Sequence, residues 1–196
     1  MRSPARHFRK GVLASVLLVL AVCAAAAQEP VRIDGLNIPG EVGGFARGPL
    51  RDFEAQYPGL GQSVRFSGRP DWTIDAFIYD ARLKTIPDDI SSSVQREQLT
   101  RAKEDILEAE RRGFYANVQE GAAFTVGRAG GRRFACAGFN YQRGEKRDIG
   151  VDSYLCLTGW KNKFVKLRMS GPRGAIQQAD VTKFAEAWIS LLSRGR

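Results

Sequence analysis

The chain has 196 residues, with 30 Lys and Arg against 21 Asp and Glu, three Cys and a single His, for a formal charge of +9. That length suits one domain with a sizeable core. The lone histidine, His7, stands at the extreme N-terminus, so the rest of the chain has no imidazole for a Ser-His-Asp or Cys-His site, a His-ligated zinc or iron centre, or a proton shuttle at neutral pH.

Met1 to about Gln28 reads as a secretory signal peptide. Arg2, Arg6, His7, Arg9 and Lys10 form a basic start, Gly11 to Val22 an apolar core, and Ala24 to Ala27 a small-residue run suited to cleavage. An uncleaved anchor is the alternative, but the apolar run is shorter than the roughly 20 residues of a spanning helix, and alanines follow it instead of basic residues. Leu20-Ala21-Val22-Cys23 approximates a lipobox with Val22 where Gly, Ala or Ser is usual, so a lipid anchor at Cys23 is the lesser expectation. Cleavage near Ala27 takes the basic count from 30 to 26 against 21 acidic residues, and the charge from +9 to +5. Much of the positive charge then belongs to the leader, which removes the basis for a nucleic-acid partner. The doublets Arg111-Arg112, Arg132-Arg133 and Lys146-Arg147 read as solvated loop charge. The expected product is a periplasmic or secreted monomer of residues 28–196, with no span after cleavage.

Residues 28–39 look extended, and Gly35, Pro39, Gly40, Gly43 and Gly44 forbid a long helix there. Phe45 to Tyr57 holds a first strand interrupted at Gly48-Pro49. Leu60 to Ser67 and Trp72 to Tyr79, rich in β-branched and aromatic residues, form a hairpin around Gly68-Arg69-Pro70-Asp71. Ser91 to Arg112 is a helix: Leu99, Ala102, Ile106 and Ala109 recur at helical spacing, Ser92 and Gln95 can make a capping box, and Gly113 stops it. Four strand candidates follow: Phe114 to Val118 continuing into Ala122 to Val126, Arg133 to Gln142, Ile149 to Thr158, and Lys163 to Met169. A second helix, about Ile176 to Ser193, carries Val181, Phe184, Ala185, Trp188, Leu191 and Leu192 on one stripe. Consecutive strands with one helix in the middle and one at the end give an α+β fold, an antiparallel sheet packed by two amphipathic helices.

Without Cys23, Cys136 and Cys156 are the remaining thiols, and in an oxidising compartment they are expected to join as a structural disulfide. A hairpin around Gly144-Glu145-Lys146-Arg147 that pairs Tyr141 with Val151 sets Cys136 opposite Cys156, Ala137 opposite Leu155 and Ala135 opposite Leu157. The 20-residue separation is unlike the C-x-x-C spacing of a redox pair. A three-residue loop Trp160-Lys161-Asn162 would then pair Leu157 with Val165 and Leu155 with Leu167. That arrangement collects Asn140, Asp152, Tyr154, Lys166 and Arg168 on one polar face around the disulfide, which makes this set the expected ligand- or partner-binding site.

No phosphate-cradling loop, Rossmann fingerprint or EF-hand stands in the chain, and Gly127-Arg128-Ala129-Gly130-Gly131 lacks the ending of a P-loop, so no cofactor and no resident metal is expected. Carboxylates are the remaining route to acid-base work: Asp71, Asp75, Asp80, Asp88 and Asp89, with Asp75 unusual as a mid-strand charge beside Phe77 and Tyr79. Asp88 and Asp89 can also attract calcium, although Asp-Asp after proline is an ordinary helix-start signal.

Gly35-Leu36-Asn37-Ile38-Pro39, Gly43-Gly44-Phe45, the Leu60 to Phe66 and Trp72 to Asp80 hairpin, and then a helix, a meander and a closing helix resemble small exported bacterial proteins of unassigned role. Their arrangement is similar to the PsbP-like and DcrB-like α-β-α sandwich. The resemblance implies a non-enzymatic accessory or binding domain of the cell envelope, whose partner is a protein or an anionic envelope component. The alternatives from other classes are a carboxylate-dependent glycan hydrolase, which needs two acids facing across a cleft, and an inhibitor or chaperone-like factor that pairs through a flat sheet edge.

Overall fold

The computed structural model describes residues 29–144 and 148–195. The leader, Cys23 and the Glu145-Lys146-Arg147 turn tip lie outside these described residues. Short strands β1 (Val31–Ile33) and β2 (Leu36–Ile38) pair with each other, and β3 (Glu41–Val42) leads into β4 (Phe45–Asp52). The hairpin follows as β5 (Gln62–Ser67) and β6 (Thr73–Tyr79), and then helix α1 (Ser93–Arg111). Next come β7 (Ala116–Val126), β8 (Phe134–Arg143), β9 (Ile149–Trp160), β10 (Lys163–Pro172) and helix α2 (Gln178–Arg194). The expected interruption at Gly48-Pro49 is a register shift inside β4, between Arg47 and Leu50. The α+β class is as the strand and helix order predicted.

One sheet of eight strands runs β3-β4-β5-β6-β10-β9-β8-β7, with antiparallel neighbours throughout. Strands β6 and β7 are consecutive in sequence, yet three strands lie between them, so α1 crosses one face of the sheet to connect them. Ser92 caps α1 by accepting from the Gln95 N–H at 3.3 Å, and Gly113 at φ 78 ends it. Only half of the expected capping box forms, because the Gln95 amide turns away and donates to the Pro87 carbonyl at 2.7 Å. Helix α2 covers the opposite face. Phe184 meets Phe45 and Phe66 edge-on, Trp188 meets Phe66, and the Trp160 indole donates to the Leu192 carbonyl at 3.1 Å, fixing the helix end. The buried Arg47 side chain donates to the Glu29, Pro39 and Gly48 carbonyls, tying the extended N-terminal segment to that same layer.

Between β8 and β9 the register is the one the sequence predicts. Tyr141 pairs with Val151, Cys136 with Cys156, Ala137 with Leu155 and Ala135 with Leu157. Cys136 and Cys156 are bonded, with Cα atoms 4.1 Å apart, in the core beneath α2.

Between β9 and β10 the expected register is wrong by one residue. Trp160 pairs with Lys163, so the turn is a two-residue one through Lys161 and Asn162, both left-handed at φ 46 and 58. Such turns match the twist of a hairpin, and the asparagine tolerates the conformation. Lys166 therefore pairs with Leu157 and Arg168 with Leu155, while Leu167 lies across from Cys156. A slip of one residue sends every side chain of a strand to the other face. Val165, Leu167 and Met169 enter the α2 core, and Lys166 and Arg168 turn to the α1 side.

Both sheet edges are poorly shaped for pairing with another chain. Strand β3 is two residues long, and β7 shifts register twice, between Ala116 and Gln119 and between Glu120 and Ala123.

Removing the disulfide by Cys136→Ala with Cys156→Ala is expected to cost about 3 kcal/mol in urea unfolding, the chain-entropy value for a closure of this length. An unchanged midpoint would show that the bond does not stabilise the fold. Gly159 faces the Ile86-Pro87 loop so closely that an added Cβ would overlap the Pro87 carbonyl oxygen. Gly159→Ala is expected to destabilise by about 1–3 kcal/mol, measured the same way, by pushing that loop and the start of α1 off β9.

Candidate functional site

Helix α1 does not cover its face of the sheet evenly. Ala102 and Ile106 pack on Ala137, Phe139, Tyr141, Val151 and Leu155, while Leu99 reaches Leu157 and Phe164. Toward β6 and β5 the helix gives way, and the uncovered surface there carries charge. Across the strands, Arg65 pairs with Asp75 and Asp75 with Arg168. In the next row Ser63 pairs with Phe77 and Phe77 with Lys166. The mid-strand Asp75 is explained by its neighbour, since Arg65 donates to both of its oxygens at 2.8 and 3.0 Å.

Lys166 and Arg168 have no such counter-ion among the described residues. The Arg168 guanidinium rests on neutral groups, the Ser153 hydroxyl at 3.3 Å and the Tyr141 hydroxyl at 3.5 Å, and lies 5.9 Å from the Tyr115 ring centre. Tyr115 and Tyr141 stack with centroids 4.1 Å apart, and Ser153 and Ser170 share a hydrogen bond of 2.7 Å. The Lys166 ammonium stands over the faces of Phe77 and Tyr79, 4.8 and 5.4 Å from their centroids. Both side chains are half-buried. Burial pulls the Lys166 pKa below its ordinary value of 10.5; Asp105 on α1 works against that shift and Arg168 reinforces it. Burial likewise pushes up the phenols of Tyr79 and Tyr115, which keeps them neutral hydrogen-bonding groups.

Beside Lys166 a cavity of about 240 Å³ opens between β6 and the β4–β5 loop, lined by Phe53, Leu60, Phe77, Tyr79 and Lys166. Its walls are apolar apart from that one ammonium and the Tyr79 hydroxyl, and the hydroxyl already accepts from the Gln98 amide at 3.0 Å.

The five residues expected to form one site are divided between two faces. Asn140 and Asp152 are directly paired and lie with Tyr154 on the α2 side, where Tyr154 packs edge-on against Phe124. One Asp152 oxygen accepts from the Gly174 N–H at 2.6 Å, which clamps the loop between β10 and α2. Asn140 is exposed. Lys166 and Arg168 stay together on the α1 side, where their company is Phe77, Tyr79, Tyr115, Tyr141 and Ser153. The alternation of Asp75, Phe77 and Tyr79 was the sequence signal for this wall; nothing local in sequence announced Phe53 or Leu60.

Of the candidate acids, the adjacent Asp88 and Asp89 line one cleft, and most of the set are engaged by neighbouring groups. Asp71 sits in a turn at φ 63, Asp75 is held by Arg65, and Asp88 bonds Arg132 at 2.5 Å. Asp89 bonds the Ser91 hydroxyl, and that bond holds its carboxyl below the usual range. Burial works to raise Asp80, but the Lys163 ammonium at 2.9 Å and the Arg82 N–H outweigh it. Arg132, expected as solvated loop charge, has a side chain only 4% exposed and donates to the Gly159 carbonyl as well as to Asp88. Its role is to join two loops. Among the described residues no group of three or more Asp, Glu, His or Cys is placed to hold a metal, and no helix is long and apolar enough to cross a membrane.

No protein-family model matches the sequence, and no curated protein matches it. Among solved structures, the chain is similar to the solution structure of cyanobacterial PsbP (CyanoP) from Synechocystis sp. PCC 6803, at TM-score 0.40 and 12% identity over 90% of this chain and 96% of that one.

The lowered Lys166 pKa carries a sign. Between the folded value and the ordinary 10.5 the unfolded chain holds the extra proton, so stability rises with pH through that window, and the cost of the buried ammonium is fully present below it. Lys166→Met is expected to raise the melting temperature at neutral pH by about 2–4 °C, the shift that goes with about 1 kcal/mol in a domain of this size. A lower melting temperature in differential scanning calorimetry would mean that the aromatic faces compensate the ammonium fully.

Proposed function

We propose that this protein is an exported, non-enzymatic binding domain that takes an anionic envelope component on the α1 side of its sheet through Lys166 and Arg168. The observation that carries this reading is the pair itself: two half-buried cations on one strand, neither bonded to a carboxylate among the described residues, since Asp75 across from Arg168 is taken by Arg65. A charge drawn partly out of water without a counter-ion costs stability, and local rules are broken in this way mostly at functional sites. An anion seated between the two would supply what the fold withholds. Tyr115, half-buried beside Arg168, adds a neutral hydrogen-bonding group there, while the buried Tyr141 and Ser153 hydroxyls hold the guanidinium in place.

Export is supported by the leader pattern of residues 1–28 and by the Cys136–Cys156 bond, which persists in oxidising compartments. The glycan-hydrolase alternative is not favoured. A general acid needs a raised pKa, whereas Asp80 and Asp89 are held down and Asp75 and Asp88 are bound by arginines. Edge pairing is not favoured either, because β7 is twice kinked.

Titration with inorganic phosphate, followed by backbone amide NMR, tests the site. Shifts are expected to concentrate on residues 75–79, 153–157 and 164–170. The Lys166→Met, Arg168→Met double variant is expected to weaken the interaction at least tenfold while remaining folded. Shifts scattered over the surface, or an unaltered double variant, would eliminate this face as the anion site.

A further inference from the structure

The cavity beside Lys166 narrows the chemistry of the ligand, and this step rests on the anion-binding reading above. We propose that the ligand is a single-chain amphipathic carboxylate, with its head on Lys166 and its tail between Phe53, Leu60, Phe77 and Tyr79.

Three observations carry the assignment. First, the Lys166 ammonium has aromatic faces beneath it but no oxygen acceptor among the described residues, and the nearby Tyr79 oxygen is already used by Gln98. A carboxylate is the missing partner. Second, the other cavity walls are carbon, and Leu60 is 53% exposed at the rim.

Third, that exposure is built rather than incidental. The Glu54 carboxylate accepts from the Gly59 N–H at 2.9 and 3.0 Å and from the Gly61 N–H at 2.8 Å, on both sides of Leu60. From outside, the turn through Ala81 and Arg82, both left-handed at φ 52 and 62, braces the same loop: the Ala81 N–H donates to the Gly59 carbonyl at 2.9 Å and Arg82 Nε to the Pro58 carbonyl at 2.8 Å. The Leu83 N–H closes this turn on the Asp80 carbonyl at 2.9 Å, so it is a tight two-residue turn of the same kind as Lys161-Asn162. A loop braced in this way holds an apolar wall open to water before any ligand arrives, so little ordering cost remains at binding. At about 240 Å³ the cleft falls below the roughly 300–1,000 Å³ usual for ligand pockets, which favours a small single-chain ligand.

Calorimetric titration of the full exported protein with acetate, butyrate, hexanoate and octanoate, with octanol and octyltrimethylammonium as controls, tests this. Affinity is expected to rise about fourfold per added methylene until the cavity is filled, with octanoate at least tenfold tighter than either control. Lys166→Met should abolish the preference of octanoate over octanol, and Leu60→Ser, at an exposed position, should weaken octanoate at least fivefold. Acetate binding as tightly as octanoate would overturn the tail assignment and leave the anion site standing. Octanol binding as tightly as octanoate would overturn the carboxylate head assignment, and no binding of any carboxylate or of phosphate would overturn both readings. Sedimentation with phosphatidylglycerol vesicles without binding of free octanoate would replace the single-chain ligand with a membrane surface.

Discussion

The two-residue turn at Lys161-Asn162 decides which side of the sheet each residue of β10 occupies, and the rest of the molecule follows from that choice. With the chain reversing in two left-handed residues, Val165, Leu167 and Met169 are delivered to the layer under α2 and Lys166 and Arg168 to the layer under α1. One more residue in that turn would exchange the two sets, putting two cations against the disulfide and three apolar side chains at the margin of α1. The apolar core and the charged groove are therefore consequences of a single local conformation, and neither can be changed without the other.

The fold was legible where one signal dominated. The periodic stripe of α2, the turn-bounded β5–β6 hairpin and the cysteine pair each had a single reading, and the pairing of Cys136 with Cys156 carried the whole β8–β9 register with it. Strand β10 departs from its expected register because its partner is apolar in both phases. In β9, Tyr154 and Cys156 face α2 while Leu155 and Leu157 face α1, so hydrophobicity does not distinguish one register from the next. The decision passed to the turn, where Trp160-Lys161-Asn162 and Lys161-Asn162 are both compatible with the composition. The sheet order was not legible at all, because placing β6 against β10 depends on contacts between segments 80 or more residues apart.

The one-residue difference in register divides the candidate site without emptying it. Lys166 and Arg168 keep their association because alternate residues of a strand always share a face, whichever face that is. Asp152 and Tyr154 keep theirs for the same reason, Asn140 joins them through the β8–β9 register, and Asp152 proves to be a clamp on the Gly174 backbone. The cavity residues Phe53 and Leu60 come from a loop whose shape is set by the Glu54 carboxylate and the neighbouring Arg82, contacts that no residue pattern encodes.

The kinks in β7 bear on life in a crowded compartment. An outermost ribbon that bends twice within eleven residues presents its spare amides and carbonyls at changing angles, so a passing extended chain finds no straight template to zip along. Contact with other macromolecules is thereby steered to the broad sides of the slab, away from a border along which strand-by-strand aggregates could grow.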